Sequence, residues 1–195
     1  YKCSLCFNTA QEEGEMRMKR MIAGILTFVL LLSGCTSSNV QQTGELFIMS
    51  TYVTQQVYGE HADGAIHAVN ALLEEYDAAL SLYKEDSEIN RINQNAGIAP
   101  TAVSEETFSL IQKAKQYSEL SGGLFDLTVA PLSTLWGVNS ENPRVPSDEE
   151  IAAALNLVDY RDVILEESEQ TVYLKKEGMA IDLGGIAKGF FCENI

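Results

Sequence analysis

Asp182-Leu183-Gly184-Gly185-Ile186-Ala187-Lys188-Gly189 gathers an acid, a glycine pair and a lysine into one short stretch of chain. Glycine lets a backbone approach a ligand closely and accepts positive φ. Bare N–H groups in such a turn can cradle phosphate, and a lysine beside them adds a point charge for the same group. Just upstream, Thr171 to Lys176 and Met179 to Ile181 read as strand, turn and strand. Ile186 onward reads as the start of a helix, with the glycines at its positively polarised end, a place suited to an anion. A plain strand-to-helix turn with a surface lysine fits the same spacing. A Walker phosphate loop does not, because its glycine-to-Gly-Lys-Ser/Thr spacing is absent.

Working backwards, Gly122-Gly123-Leu124-Phe125-Asp126-Leu127-Thr128-Val129-Ala130-Pro131-Leu132 runs on to the only tryptophan in Leu135-Trp136-Gly137. The glycines read as a helix stop and the proline as a bend. One acid and one hydroxyl among apolar neighbours suit a pocket wall. They equally suit a core loop in which Asp126 and Thr128 satisfy backbone groups.

The rest of the pattern is mixed α and β. Leu46 to Tyr58 is rich in strand formers. Ala62 to Leu80 carries Ile66, Val69, Leu73, Tyr76 and Leu80 on one stripe, an amphipathic helix with His67 on its polar side. Ser87 starts a short helix with Ile89 and Ile92 inward. Ser104 caps a helix from Glu105 to Ser121 with Phe108, Ile111 and Ala114 inward and Gly122 as stop. Ser147 and Glu150 form a capping box opening a helix with Ile151, Ala154 and Leu155. Asp162 to Leu165 and Val172 to Leu174 read as a hairpin about residues 167–170.

The N-terminus bears on compartment. Arg17, Lys19 and Arg20 precede an apolar run from Met21 to Leu32, too short for a comfortable membrane span and suited to a secretory signal peptide. Leu32-Ser33-Gly34-Cys35 resembles a bacterial lipobox, which places lipid on Cys35; a short buried helix ending at the glycine is the alternative. Residues 1–15 are read as an upstream leader, 16–34 as the signal peptide, 35–45 as a polar tether and 46–195 as the folded domain. The expected location is the bacterial cell membrane, lipid-anchored on the extracytoplasmic face. Cys3 and Cys6 lack the second pair that a zinc site needs, and Cys192 beside Phe190 and Phe191 is expected to be buried. With 28 acidic residues against 13 lysines and arginines, the chain carries a formal charge of −15. That disfavours nucleic acid and anionic lipid as partners, so any membrane attachment rests on the lipid.

The two glycine-rich segments, taken with Met49-Ser50-Thr51, Ser81-Leu82-Tyr83, Ser87-Glu88-Ile89-Asn90 and Asn93, resemble in order and spacing the FAD:protein FMN transferase (ApbE) family. Ser50 stands where that family usually has glycine. The resemblance covers residues 46–195 and implies an α+β, ApbE-like fold. It implies that Met49, Tyr83, Leu124, Phe125, Asp126, Asp182 and Lys188 contact FAD, and that the backbone carbonyl of Gly185 binds Mg2+. It also implies the reaction: magnesium-dependent transfer of the FMN moiety of FAD to a threonine of an acceptor redox protein, with release of AMP. Hydrolysis of FAD to FMN and AMP and a non-enzymatic flavin-binding lipoprotein are the alternatives. The family continues for about as long again past Ile195, where its other metal ligands and a catalytic histidine are expected; His61 and His67 do not match that histidine. The chain is therefore expected to be the N-terminal part of its domain, inactive alone, with the apolar face at Ile186, Phe190 and Phe191 lacking its partner.

Overall fold

The computed structural model describes residues 41–138 and 140–195, together with Met18 and Met21. Residues 1–40 and 41–195 separate into two units, and the fold is that of the second. The signal peptide apart from Met18 and Met21, Cys35, the Cys3/Cys6 pair and the tether as far as residue 40 lie outside the described residues. Among the described residues no helix is long and apolar enough to cross a membrane.

The architecture is α+β, as expected. β1 (Gln41–Ile48) and β2 (Thr51–Tyr58) form an antiparallel hairpin in which Ile48 pairs with Thr51. The strand-rich stretch from Leu46 is thus two strands, and β1 begins five residues earlier than the domain start read from sequence. Residues 41–45 are not tether; they are paired with Thr54 to Tyr58. The reversal was hidden because its two residues, Met49 and Ser50, lie at φ +49° and +56° with neither glycine nor asparagine to mark it. α1 (Ala62–Leu80) packs on this hairpin through Ile66 and Leu73.

α2 (Glu88–Gln94) is capped by Ser87, whose hydroxyl accepts from the Asn90 N–H. Ser104 caps α3 (Glu105–Leu120) by accepting from the Thr107 N–H, and is itself held by the Glu88 carboxylate. α3 stops at Gly122 and Gly123, at φ +64° and +84°. α4 (Ala130–Leu135) has Pro131 in its first turn, so that proline starts a helix and does not bend the chain. α5 (Asp148–Leu155) opens with the Ser147–Glu150 capping box, although Leu155 points outward. β3 (Thr101–Ala102), β4 (Val163–Glu166) and β5 (Thr171–Leu174) make an antiparallel sheet in the order β3-β5-β4. α6 (Ala187–Asn194) follows the glycine-rich turn.

One core joins these elements: Ile89 and Ile92 of α2, Leu110, Ile111 and Ala114 of α3, Val163, Val172 and Leu174 of the sheet, with Leu127, Met179 and Ile181. Phe191 of α6 is 1% exposed and stacks on Tyr76 of α1, ring centroids 4.3 Å apart. The α6 face therefore has a partner at Phe191, contrary to expectation. Cys192, on the other side of α6, is exposed and not buried.

The expected strand at Met179–Ile181 does not form. Its ladder pairing among the described residues is one parallel bridge, Val129 to Ala180. The Asn93 carboxamide takes the place of a neighbouring strand at Ile181: its Oδ1 accepts from the Ile181 N–H at 2.7 Å and its Nδ2 donates to the Ile181 carbonyl at 3.1 Å. A side chain that satisfies both backbone groups removes the need for a ladder.

Candidate functional site: one cavity under the glycine-rich turn

The turn at 182–186 is built by short-range bonds. The Asp182 N–H donates to the Leu127 carbonyl at 2.9 Å, which sets the acid beside the Phe125–Leu127 segment. Its Oδ1 accepts from the Gly184 N–H at 2.9 Å, and its Oδ2 from the Ser133 hydroxyl at 3.1 Å. Gly185 lets the turn pass close to Phe125: a Cβ there would lie 3.2 Å from Phe125 Cε2, tight enough that the ring would have to shift. Lys188, in the first turn of α6, is exposed and has no carboxylate partner among the described residues.

The Ser81–Tyr83 loop is braced by the motif that surrounds it. Ser81 Oγ accepts from the Tyr83 and Lys84 N–H groups, the Ser87 hydroxyl donates to the Ser81 carbonyl at 2.6 Å, and Asn90 Nδ2 donates to the Lys84 carbonyl. The loop presents Tyr83 61% exposed, with its hydroxyl donating to the Val138 carbonyl at 2.8 Å. Lys84 pairs with Asp77 at the same rim. Phe125 is fixed through its N–H, which donates to Ser121 Oγ.

These elements enclose a cavity of about 830 Å3. Met49, Tyr83, Leu124, Phe125, Asp126, Asp182, Gly185 and Lys188 all line it, so every position expected at the site from sequence opens on one space. Its size falls within the usual range for small-molecule pockets. Its lining combines apolar and aromatic groups with the charged side chains of Asp126, Asp182 and Lys188. A second cavity of about 420 Å3, between α3 and α6, shares Phe125 and Gly185 with the first.

Asp126 has a structural task as well as its place on the wall. Oδ1 accepts from the Thr128 N–H and hydroxyl, and Oδ2 from the Tyr160 N–H at 3.0 Å. Thr128 Oγ1 in turn accepts from the Asp159 N–H at 2.9 Å. The core-loop reading thus holds for both residues; Asp126 also lines the cavity, whereas Thr128 is fully buried and does not. Sequence reasoning missed Ser133, Asp77 and Val138. A serine on a short helix has no local signature, and Val138 holds Tyr83 through its backbone carbonyl, which any residue carries.

Magnesium needs several oxygen ligands. Among the described residues no group of three or more His, Cys, Asp or Glu could hold a metal ion. The cavity is lined by Gly185 and by the carboxylates of Asp77, Asp126 and Asp182, each already engaged by a lysine, an N–H or a hydroxyl, and these do not by themselves complete a site for the ion.

Comparison with known proteins places this geometry. The chain is 33% identical to the FAD:protein FMN transferase of Klebsiella pneumoniae over 148 residues, covering 76% of this chain and 46% of the relative. With the enzyme of that name from Treponema pallidum it is 31% identical over 157 residues, covering 76% and 43%. Among solved structures, the ApbE protein of Thermotoga maritima superposes with a TM-score of 0.75 at 34% identity, covering 80% of this chain and 51% of that one. The flavin transferase ApbE from Vibrio cholerae gives 0.73 at 28%, covering 80% and 52%. The chain spans about half the length of the relatives it matches. The family model for ApbE matches residues 49–195, and with the fold in agreement the chain belongs to the ApbE family.

Proposed function

We propose that the whole protein takes FAD as donor and transfers its FMN moiety to a threonine hydroxyl of an acceptor redox protein. In that reaction the P–O bond between the two phosphoryl groups breaks and a bond forms from the FMN phosphorus to the threonine oxygen. The threonine gives up its proton, and AMP leaves. The observation that carries the reading is the convergence of all the expected positions on one cavity. Tyr83, Phe125, Leu124 and Met49 supply an apolar and aromatic wall for flat rings. Asp182 has both oxygens engaged but retains lone pairs for donors on the ligand. Lys188 is a cation on the cavity wall, suited to neutralising phosphate charge as the bond breaks.

Mg2+ belongs to the proposal on the Gly185 carbonyl. When bound, it would screen phosphate charge; the described residues do not complete its coordination. The proposal also places the protein on the extracytoplasmic face of a bacterial membrane, held by lipid on Cys35, as the order of signal, lipobox-like and polar segments supports.

Two measurements test it in the whole protein. Asp182→Ala should weaken FAD binding about tenfold or more, the loss of one charge-assisted hydrogen bond, read by flavin fluorescence titration. Intact mass of a co-expressed acceptor should rise by one FMN. AMP release with no adduct would replace transfer by hydrolysis, and flavin binding with neither product would leave a binding protein.

A further inference from the structure

We infer that Ser133 is a positioning residue: its hydroxyl fixes the orientation of the Asp182 carboxylate toward the cavity. The inference rests on the proposed flavin site and extends it to a side chain outside the cavity wall.

A serine hydroxyl has one proton to donate. On a helix it commonly gives that proton to a carbonyl one turn back. Ser133 Oγ has such a carbonyl within reach, Ala130 O at 3.3 Å, and also Asp182 Oδ2 at 3.1 Å. The charged acceptor is nearer and makes the stronger bond, so the proton goes to Asp182. Gly184 holds the other oxygen at 2.9 Å. Two donors at separate oxygens restrict rotation of the carboxylate plane, on a residue that lines the cavity.

The scaffold behind this contact is rigid. α4 is tied to the 180–182 segment through the Val129–Ala180 bridge and the Asp182 N–H to Leu127 carbonyl bond. Ser133 is therefore delivered to Asp182 by backbone pairing, not by a mobile loop. Removing Asp182 leaves the hydroxyl with Ala130 O as acceptor. In a double-mutant cycle the serine hydroxyl therefore keeps an acceptor in the Asp182→Ala background, and the Gly184 N–H that loses its partner there belongs to an exposed residue.

The experiment is FAD affinity in the whole protein for wild type, Ser133→Ala, Ser133→Thr, Asp182→Ala and the Ser133→Ala/Asp182→Ala pair. Ser133→Ala should weaken binding about fivefold, Ser133→Thr should stay within about twofold of wild type, and Ser133→Ala should have no further effect once Asp182 is alanine. Ser133→Val beside Ser133→Thr, a pair differing in the hydroxyl at nearly constant shape, carries the same comparison if Ser133→Ala does not fold. Ser133→Ala at wild-type affinity while Asp182→Ala is weakened overturns the inference and leaves the flavin site standing. An equal loss in both backgrounds also overturns it, since the serine would then act elsewhere. Wild-type affinity in Asp182→Ala overturns the flavin reading at this acid, and the inference with it.

Discussion

Asn93→Ala tests the most unusual piece of the scaffold. Ile181 has 0% of its surface exposed, and its N–H and carbonyl are both satisfied by one carboxamide, at 2.7 and 3.1 Å. Alanine leaves two buried backbone groups without partners. Each costs about 1–3 kcal/mol. Local relaxation recovers part of that, so the expected loss is about 3 kcal/mol. The assay is urea unfolding followed by far-UV circular dichroism and by Trp136 fluorescence. With a slope of about 2 kcal/mol per molar urea, the midpoint should fall by about 1.5 M with the slope unchanged. Asn93→Asp sharpens the test. Its carboxylate still accepts from the Ile181 N–H but opposes the Ile181 carbonyl, so it should be as damaging at neutral pH and partly relieved when acid protonates it into a donor. A loss below about 1 kcal/mol in Asn93→Ala would refute the reasoning, because the segment before Asp182 would then hold itself without that side chain.

Three further outcomes can be read from single substitutions. Ser50→Gly should stabilise the protein by about 0.5–1 kcal/mol, since φ +56° at Ser50 suits glycine better than serine; thermal unfolding reads it, and a lower midpoint would contradict the turn. Asp162 accepts charge-assisted bonds from Lys176 and Lys175, which hold its carboxyl below the usual value of 3.8. A depressed folded-state value stabilises the protein above the unfolded value and is lost as pH falls through the folded one. Asp162→Asn should therefore be less stable than wild type at neutral pH, with the gap closing below about pH 4; a gap independent of pH would remove the ion pairs from the account. Cys35→Ser should move the protein from the membrane fraction to the soluble extract, and identical partitioning would end the lipid-anchor proposal.

What sequence could foresee was whatever is encoded locally. Ser104, Gly122 and the Ser147–Glu150 box mark helix ends because caps act within one turn, and those helices lie where expected. The hairpin turn at Met49–Ser50 escaped, because the strands impose left-handed geometry on residues that do not advertise it. The Met179–Ile181 strand was misread for the opposite reason: strand-like composition is present, but its partner at Ile181 is a side chain eighty-eight positions away. Cys192 shows the limit of reasoning from neighbours, since on a helix adjacent residues face different ways. The cavity wall was legible residue by residue through the family resemblance. Its support was not: Ser133 and the Asn93 clamp act through contacts that no spacing in the chain reveals.

The bonds from Tyr160 N–H to Asp126 and from Asp159 N–H to Thr128 Oγ1 join positions thirty-four and thirty-one apart. They turn everything between into an excursion with a fastened neck. For such a loop the entropic penalty grows only logarithmically, about 0.6 kcal/mol for each doubling of length. The stretch from Trp136 to Val145, part of that excursion and flanking the cavity mouth at Val138, can thus gain or lose residues at little expense to the core.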